Sequence, residues 1–375
     1  TTNMGDGNIH NIRHSSCKNS RTLRVIQSME EEKYMRRCIQ LAQNGLCNTA
    51  PNPMVGAVIV CDGKIIGEGY HIRCGEAHAE VNAIRSVKEP SLLKRSTIYV
   101  SLEPCAHYGK TPPCADLIIE KQIPRIVIGC QDPFAKVAGR GIQKLKDAGR
   151  EVIVGVLEED CKNLIRRFVT FHSLHRPYIT LKWAESADKH IDKCRKDGKP
   201  VILSTPLTSM LVHKRRAEHS TIMVGTHTAE LDNPSLTVRN WQGQSPVRIV
   251  IDRQQRLSPS LHLFDDSIRT LVFTGQPHAA FPNTEYIVID FQQNILPQIM
   301  QHLYAQGLQS LLVEGGSYLL QSFINAELWD EIFVEESPLK LFSGVKAPEI
   351  GNKTPYVNEQ YFGRNFRHYI ATRLG

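Results

Sequence analysis

The feature that most constrains this 375-residue chain is a set of metal-binding residue types: His78-Ala79-Glu80, then Pro104-Cys105, then Cys114. One histidine and two cysteines supply the three nitrogen and sulfur ligands of a hydrolytic zinc site, which keeps its fourth position open for water. Zinc lowers the pKa of that water from about 15.7 to roughly 7. Glu80 lies two residues from His78 and is not needed as a ligand, so we predict that it carries the water's proton. The pattern therefore predicts one catalytic Zn²⁺ per chain.

Each ligand taken alone has a simpler interpretation, because isolated histidines often begin helices and isolated cysteines often lie in a core. The joint pattern of an acid after the histidine and a proline before the first cysteine favours zinc, and it is the signature of zinc nucleoside deaminases. A structural zinc site in a nucleic-acid-binding protein is the alternative. It would normally have a fourth protein ligand, and no such residue stands at matching spacing.

The length of the chain predicts two domains. Strand and helix patterns alternate through residues 55–156 and again from residue 178, which predicts an α/β class for both. We predict a deaminase domain over residues 29–172, a second domain over 177–375, and a disordered basic tail over 1–28. No run approaches the about 20 apolar residues of a membrane span. We therefore expect a soluble, cytoplasmic protein without a membrane partner.

The charge distribution helps to define the partners. The formal net charge is +7, and outside the basic tail the excess is diffuse. A diffuse positive charge suits anionic phosphate substrates and is smaller than a nucleic-acid-binding surface requires. The sequence thus predicts a small-molecule substrate and no nucleic-acid partner.

Four segments in the first half, residues 49–56, 78–83, 103–114 and 131–141, resemble the bifunctional riboflavin-biosynthesis deaminase/reductase family. The eight residues between the two cysteines are the distinguishing feature, since other nucleic-acid and nucleoside deaminases typically place two there. The resemblance implies a cytidine-deaminase-like α/β/α sandwich and the substrate 2,5-diamino-6-(5-phosphoribosylamino)pyrimidin-4-one. It also implies four residues that hold this substrate: Asn52, His71, His107 and Lys110.

Five segments in the second half, residues 182–188, 214–218, 225–239, 250–253 and 313–316, resemble the reductase of the same family. This resemblance implies a fold similar to dihydrofolate reductase and NADPH as the cofactor. No Gly-x-Gly-x-x-Gly fingerprint follows residue 177, which argues against an ordinary dehydrogenase domain. Instead, the Gly315-Gly316 pair between a strand and a helix predicts a phosphate cradle, because glycine lets backbone amides approach a phosphate.

The resemblance also implies residue roles in the second half. Substrate residues are Arg216, Leu236, Arg239 and Glu314, and the planar fork of arginine independently suits a ribose phosphate. The cofactor residues are Ala184, Thr228, Asp232 and the segment that runs from Gly316 through Ser317 to Ser322. Pro200, Ile202 and Arg253 are secondary candidates.

Two places depart from the family pattern. Asp188-Lys189 stands where the family commonly has Asp-Gly, and Ile202-Leu203-Ser204 stands where it has Trp-Ile-Thr. The expected activity is deamination followed by NADPH reduction to 5-amino-6-(5-phosphoribitylamino)uracil, in a homo-oligomer. The departures keep an alternative open, in which the deaminase acts on another nucleotide or nucleic acid and the reductase half is not functional.

Overall fold

The computed structural model describes residues 13–107, 112–134, 137–196 and 198–372, with side chains in the first helix described from residue 26. The chain divides into two compact units, the first ending at Arg166 and the second beginning at Arg167. This division lies a few residues before the boundary that the sequence predicts, near the start of a helix. Within the described ranges, no helix is both long and apolar enough to cross a membrane.

The first unit, as far as its residues are described, is a five-stranded sheet with helices on both faces. Its helices are α1 (Arg13–Gln43), α2 (Ala79–Ser86), α3 (Cys114–Glu120), α4 (Arg140–Asp147) and α5 (Glu158–Leu164), and its strands are β1 (Gly56–Cys61), β2 (Lys64–Tyr70), β3 (Thr97–Leu102), β4 (Arg125–Cys130) and β5 (Glu151–Val154). The strand order is β2-β1-β3-β4-β5, with β1 antiparallel to both neighbours and β3, β4 and β5 parallel. Helices α1 and α5 pack on one face, and α2, α3 and α4 on the other. The α/β/α sandwich that the resemblance implies is confirmed.

Helix α1 is longer than the sequence predicts. The apolar spacing predicts a helix that begins near Glu30, whereas the observed helix begins at Arg13. Most of the segment 1–28, which we predict to be a disordered tail, therefore overlaps with the helix; residues 1–12 lie outside the described residues. The segment 13–29 contains neither glycine nor proline, so nothing in it stops a helix from continuing. The predicted apolar face of this helix is buried against the sheet: Tyr34, Cys38, Leu41 and Ala42.

The second unit contains a larger mixed sheet, with nine strands in the part of the chain that the structure describes. Its helices are α6 (Arg166–Leu174), α7 (Pro206–Ala217), α8 (Thr226–Asp232), α9 (Ile295–Ala305) and α10 (Ser317–Asn325), and its strands are β6 (Tyr178–Ser186), β7 (His190–Asp192), β8 (Thr221–Val224), β9 (Val247–Ile251), β10 (Thr270–Thr274), β11 (Thr284–Val288), β12 (Ser310–Glu314), β13 (Glu331–Ser337), β14 (Val345–Lys346), β15 (Val357–Tyr361) and β16 (Arg364–Ile370). The large sheet has the order β11-β10-β9-β8-β12-β6-β13-β16-β15, and β14 pairs separately with β7. This is the α/β fold expected of the reductase domain.

The direction of these strands decides where a ligand can bind. From β11 to β13 every neighbouring pair is parallel, and only β16 and β15 run antiparallel to their neighbours. The carboxyl ends of β6, β8 and β12 therefore lie at one edge of the sheet, where ligands bind in open α/β folds. The residues at this edge are Ser186, Gly225 and Gly315.

Candidate functional site

Three candidate metal ligands converge from three elements of the first unit. His78 immediately precedes α2, Cys105 follows β3, and Cys114 is the first residue of α3. His78 Nδ1 lies 3.7 Å from Cys105 Sγ and 3.3 Å from Cys114 Sγ. One donor atom from each residue lies within 4.8 Å of the other two. The structure thus brings together the three residues that the sequence predicts as ligands.

The chemistry of this donor set fits zinc. A hydrogen bond from the Cys114 thiol, opposed by burial and supported by His78, lowers the pKa of the Cys105 thiol. That same hydrogen bond, together with burial, raises the pKa of the Cys114 thiol. The backbone N–H of Cys114 also donates to Cys105 Sγ over 3.3 Å. One sulfur is therefore ready as a thiolate, the form that binds metal, and three donors leave a position for water.

Glu80 is buried beside these ligands. It is the second residue of α2, and only 3% of it is exposed. Burial, with a smaller contribution from the negative charge on Cys105, raises the pKa of the Glu80 carboxyl to about 7, although a hydrogen bond with Cys114 opposes the shift. A group with a pKa near 7 can both accept and return a proton at neutral pH, as a general acid–base must.

Two of the implied deaminase substrate residues lie next to the metal ligands. The His71 ring lies 5.4 Å from the His78 ring in an edge-on arrangement. The Ala77 carbonyl can only accept, so His71 Nδ1 donates to it over 3.1 Å, and Nε2 then accepts from Asn52 Nδ2 over 3.2 Å. Burial lowers the pKa of His71, which fits this neutral ring. Asn52 and His71 thus form one polar wall of the site.

The other two implied residues have different positions. His107 is exposed in the loop after Cys105. Its charge partly offsets the effect of burial on Asp132, whose pKa is raised. Lys110 lies outside the described residues. The structure therefore groups Asn52 and His71 with the metal ligands and places His107 at the surface.

Glu103 is a residue of this site that the sequence analysis did not single out. Glu103 is buried. The backbone next to it is closely packed, because a Cβ on Gly141 would lie 1.9 Å from the carbonyl oxygen of Pro104. The Glu103 carboxylate accepts four backbone N–H bonds of 2.9–3.2 Å, from Asp132, Gly139, Gly141 and Ile142. Glu103 thereby holds Asp132, Gly139 and the first turn of α4 against the turn that carries Cys105. The sequence feature that could have identified Glu103 is an acidic residue directly before Pro-Cys at the end of a buried strand.

In the second unit, the predicted glycine cradle has the required geometry. Gly315 and Gly316 have φ values of +84° and +78°, which favour glycine. A Cβ on Gly315 would lie 2.9 Å from Thr228 Cγ2, and one on Gly316 would lie 3.2 Å from Thr228 Oγ1. Thr228 and Gly316 line a cavity of about 750 Å³ at the carboxyl ends of β8 and β12. Other residues of its lining are Gly225, Thr226, His227, Arg256, Leu319 and Ser322.

The remaining cofactor candidates lie apart from the lining of this cavity, among the residues that the structure describes. Ala184 pairs with Glu335 of β13. Asp232 forms an ion pair with Arg195 over 2.6 Å. Ser317 Oγ donates a hydrogen bond to the Lys346 carbonyl, and the Arg253 guanidinium lies over the Phe291 ring. Pro200 is exposed.

The two departures from the family pattern have different structural consequences. Lys189 has φ +64°, a left-handed conformation that glycine adopts without strain. This backbone conformation explains why the family commonly has glycine at this position. The Lys189 ammonium forms ion pairs with Glu185 and Glu336. Ile202 is 83% exposed, so it packs little against the rest of the described chain.

Among the implied reductase substrate residues, Arg216, Glu314 and Leu236 are paired or buried, whereas Arg239 is exposed. Arg216 is bound to Glu314 by two hydrogen bonds, of 3.1 and 2.7 Å, and donates from Nη1 to the Thr237 carbonyl over 3.2 Å. Leu236 has φ +55°, is only 2% exposed and lies in a hydrophobic core cluster. Arg239 is exposed, and its Nη1 donates to Thr237 Oγ1 over 2.7 Å. Arg239 is therefore the more available cation.

Lys182 is a second residue that the sequence analysis did not single out. It lies in β6 with Glu314 of β12 opposite on one side and Phe333 of β13 on the other. Burial lowers the pKa of its ammonium group. Within the described ranges, no hydrogen-bond or ion-pair partner holds this group. Lys182 is half-buried, and the sequence feature that could have identified it is a lysine within the otherwise apolar strand β6.

The fold and the site together define a class of protein. The first unit joins an α/β/α sandwich to a His-Cys-Cys group with a buried glutamate, as zinc-dependent deaminases of nucleotide bases do. The second unit presents a cavity with a glycine cradle at the carboxyl ends of parallel strands, as nucleotide-binding oxidoreductase domains do. The class is a two-domain deaminase and reductase.

Comparisons with known proteins support this class. Residues 28–130 match the family model for the cytidine and deoxycytidylate deaminase zinc-binding region, and residues 177–343 match that for the RibD C-terminal domain. The chain is 36% identical over 329 residues to riboflavin biosynthesis protein RibD of Bacillus amyloliquefaciens, covering 85% of this chain and 87% of that protein. It is 36% identical over 337 residues to the Escherichia coli K12 protein of the same name, covering 85% and 90%.

A solved structure agrees with these sequence relatives. The diaminohydroxyphosphoribosylaminopyrimidine deaminase/5-amino-6-(5-phosphoribosylamino)uracil reductase of Thermotoga maritima superposes with a TM-score of 0.82 at 37% identity, covering 91% of this chain and 99% of that chain. The chain belongs to the RibD family of bifunctional riboflavin-biosynthesis deaminase/reductases. The predicted family and the predicted pair of enzymatic activities are confirmed.

Proposed function

We propose that the chain deaminates 2,5-diamino-6-(5-phosphoribosylamino)pyrimidin-4-one and then reduces the ribosyl group with NADPH, giving 5-amino-6-(5-phosphoribitylamino)uracil. The observation that carries the proposal is the group of His78, Cys105 and Cys114, whose donor atoms lie within 4.8 Å of one another. The name of the Thermotoga maritima relative, which specifies a deaminase and a reductase of these compounds, supports the choice of substrates.

In the deamination, one zinc ion on His78, Cys105 and Cys114 would acidify the attacking water. The water oxygen adds to the amino-bearing ring carbon, and the bond from that carbon to the amino nitrogen then breaks. Glu80 accepts the water's proton on its carboxylate and returns it to the departing nitrogen, which leaves as ammonia. Its burial suits this shuttle, because a low-polarity surrounding keeps its pKa near neutrality. Asn52 offers hydrogen bonds to the pyrimidine, and His71 lines the site and orients the Asn52 amide.

In the reduction, bound NADPH would supply a hydride to the ribose-derived carbon. The cavity beside Thr228 and Gly316 is large enough to hold part of a dinucleotide, and its glycine pair admits a phosphate. Arg239 offers an exposed guanidinium to the substrate phosphate. Lys182, half-buried and without a hydrogen-bond or ion-pair partner in the described chain, is the group available to give a proton to the ribose ring oxygen as the ring opens.

The proposal includes several expectations that rest on sequence alone. They are one zinc ion per chain, the domain limits 29–172 and 177–375, a cytoplasmic location, a homo-oligomer, and the absence of nucleic-acid and membrane partners. Purified protein analysed for metal content and for mass in solution tests the first and the oligomeric state.

One incubation tests the two activities separately. The full chain is mixed with the pyrimidinone substrate and NADPH, and ammonia release and NADPH absorbance are followed in parallel. Ammonia release followed by NADPH oxidation is the expected result. Ammonia release without NADPH oxidation would instead support the alternative of a reductase half without function. Absence of ammonia would overturn the proposed deaminase substrate.

A further inference from the structure

Helix α7 holds the segment that leads to Arg239 at two points. His213 and Arg216 are three residues apart on α7, so their side chains lie on the same face of the helix. His213 Nδ1 accepts the backbone N–H of Arg239 over 3.2 Å. Arg216 Nη1 donates to the carbonyl of Thr237 over 3.2 Å. Two backbone groups of residues 237–239 are therefore fixed by two side chains one turn apart.

His213 is suited to accept this hydrogen bond. It is 4% exposed and lies on the buried side of α7. Burial, with the charges of Arg216 and Arg239, lowers the pKa of its imidazole, while Glu314 and the Thr237 backbone oppose the shift. A neutral ring keeps a lone pair on one nitrogen. The acceptor at Nδ1 is thus maintained in the neutral pH range.

The side chain of Arg239 depends on this backbone. Among its described contacts is a hydrogen bond from Nη1 to Thr237 Oγ1, within the same short segment. Arg216, by contrast, is held independently by Glu314 of β12. A shift of the 237–239 backbone would therefore move the Arg239 guanidinium and leave Arg216 in place. Displacements of about 1 Å in a binding group can cost on the order of 10²-fold in rate.

We infer that His213 is a positioning residue of the reductase site, which fixes the backbone of Arg239 so that its guanidinium meets the phosphate of the phosphoribosyl substrate. The inference rests on the proposed reductase function and on the role proposed there for Arg239. His213 itself touches the backbone of Arg239 and does not need to contact the substrate.

Two substitutions separate the hydrogen bond from the volume of the side chain. His213→Leu fills similar space without an acceptor, whereas His213→Asn places an amide oxygen near the position of Nδ1. The measurement is kcat and KM of the full chain for 5-amino-6-(5-phosphoribosylamino)uracil at saturating NADPH. We expect His213→Leu to raise KM about 3- to 10-fold, the range that one neutral hydrogen bond supports. His213→Asn should restore most of the wild-type KM, and ammonia release should be unchanged in both.

His219→Ala is the matched control. His219 is also buried, at 3% exposure, and bonds to the Arg215 carbonyl and to Thr180 Oγ1, away from residues 237–239. This variant should lose thermal stability and keep the wild-type KM. A rise in KM equal to that of His213→Leu would show that general loosening of the domain explains the effect, and would overturn the inference.

The double variant His213→Leu/Arg239→Ala tests the route through Arg239. If His213 acts by placing that guanidinium, the double variant should have the KM of Arg239→Ala alone. Multiplied effects would overturn the inference, since His213 would then act elsewhere. If Arg239→Ala raises KM while His213→Leu does not, the inference fails and the proposed function stands. If Arg239→Ala itself has no effect on KM, the proposed role of Arg239 fails together with the inference.

Discussion

The Arg216 guanidinium meets the Glu314 carboxylate edge to edge, with hydrogen bonds of 3.1 Å from Nε and 2.7 Å from Nη2. Both side chains are only 12% exposed. Burial disfavours the charged carboxylate, but the charge and hydrogen bonds of Arg216 outweigh this effect and lower the pKa of Glu314. The pair joins the end of α7 to the end of β12 and thereby supports the proposed reductase site.

Breaking this pair should destabilise the protein. Arg216→Leu leaves a buried carboxylate without its partner, a change that typically costs about 3–5 kcal/mol. We expect a loss of that size in the free energy of unfolding, measured by denaturant titration. The double variant Arg216→Leu/Glu314→Leu should be less destabilised than Arg216→Leu, because no uncompensated charge remains. A single variant as stable as wild type would contradict the structural role of the pair.

The same pair predicts a pH dependence of stability. Because the folded-state pKa of Glu314 lies below the ordinary value of 4.5, its contribution is present above that value and is lost as the pH falls through the folded pKa. Unfolding measured between pH 7 and pH 3 should therefore show a smaller acid-induced loss in the double leucine variant than in wild type. Identical pH profiles would show that other carboxylates account for the loss.

Arg239→Ala should separate the two activities. The exposed guanidinium of Arg239 is proposed to bind the substrate phosphate, and losing one charge-assisted contact should cost roughly 1.5–3 kcal/mol, or about 10- to 150-fold in the reductase kcat/KM. Ammonia release should be unchanged, since the metal ligands belong to the other unit. A variant with impaired deamination and normal NADPH oxidation would show that the two roles are assigned to the wrong halves.

Cys105→Ala should remove both zinc and deamination. The variant leaves two of the three donors, which is fewer than a catalytic zinc site uses. Metal analysis should show that the zinc content falls from about one ion per chain in wild type to far below one. Reduction of pre-deaminated substrate should continue. Full deaminase activity in a metal-free preparation would contradict the zinc assignment.

Glu80→Gln should retain zinc and lose deamination. The amide has nearly the shape of the carboxylate but cannot accept the water's proton, and loss of a general acid–base typically costs about 10²–10⁴-fold in rate. The measurement is kcat for ammonia release in a variant whose zinc content equals that of wild type. Near-normal turnover would rule out the proton-shuttle role, and Glu80→Gln should also leave the reductase unaffected.

The sequence anticipated the deaminase site better than the reductase site. His78, Cys105 and Cys114 could be identified because metal ligation depends on residue type and short spacing, and both survive any change in distant packing. The glycine pair at Gly315-Gly316 was likewise visible, since only glycine combines a positive φ with a close neighbour such as Thr228. Helix α1 was underestimated because apolar spacing marks only the part that packs on the sheet.

The sequence by itself determined the family, the two α/β domains and the chemistry of the metal ligands, since these depend on local patterns of residue type. Only the tertiary structure decided which charged groups are paired and which are available. Arg216 and Glu314 lie 98 positions apart in the chain, and the four N–H donors to Glu103 come from another segment of the first unit. Arg216 is paired and largely buried, whereas Arg239 is exposed. The sequence does not distinguish these two arginines, because burial and pairing arise only when distant segments pack together.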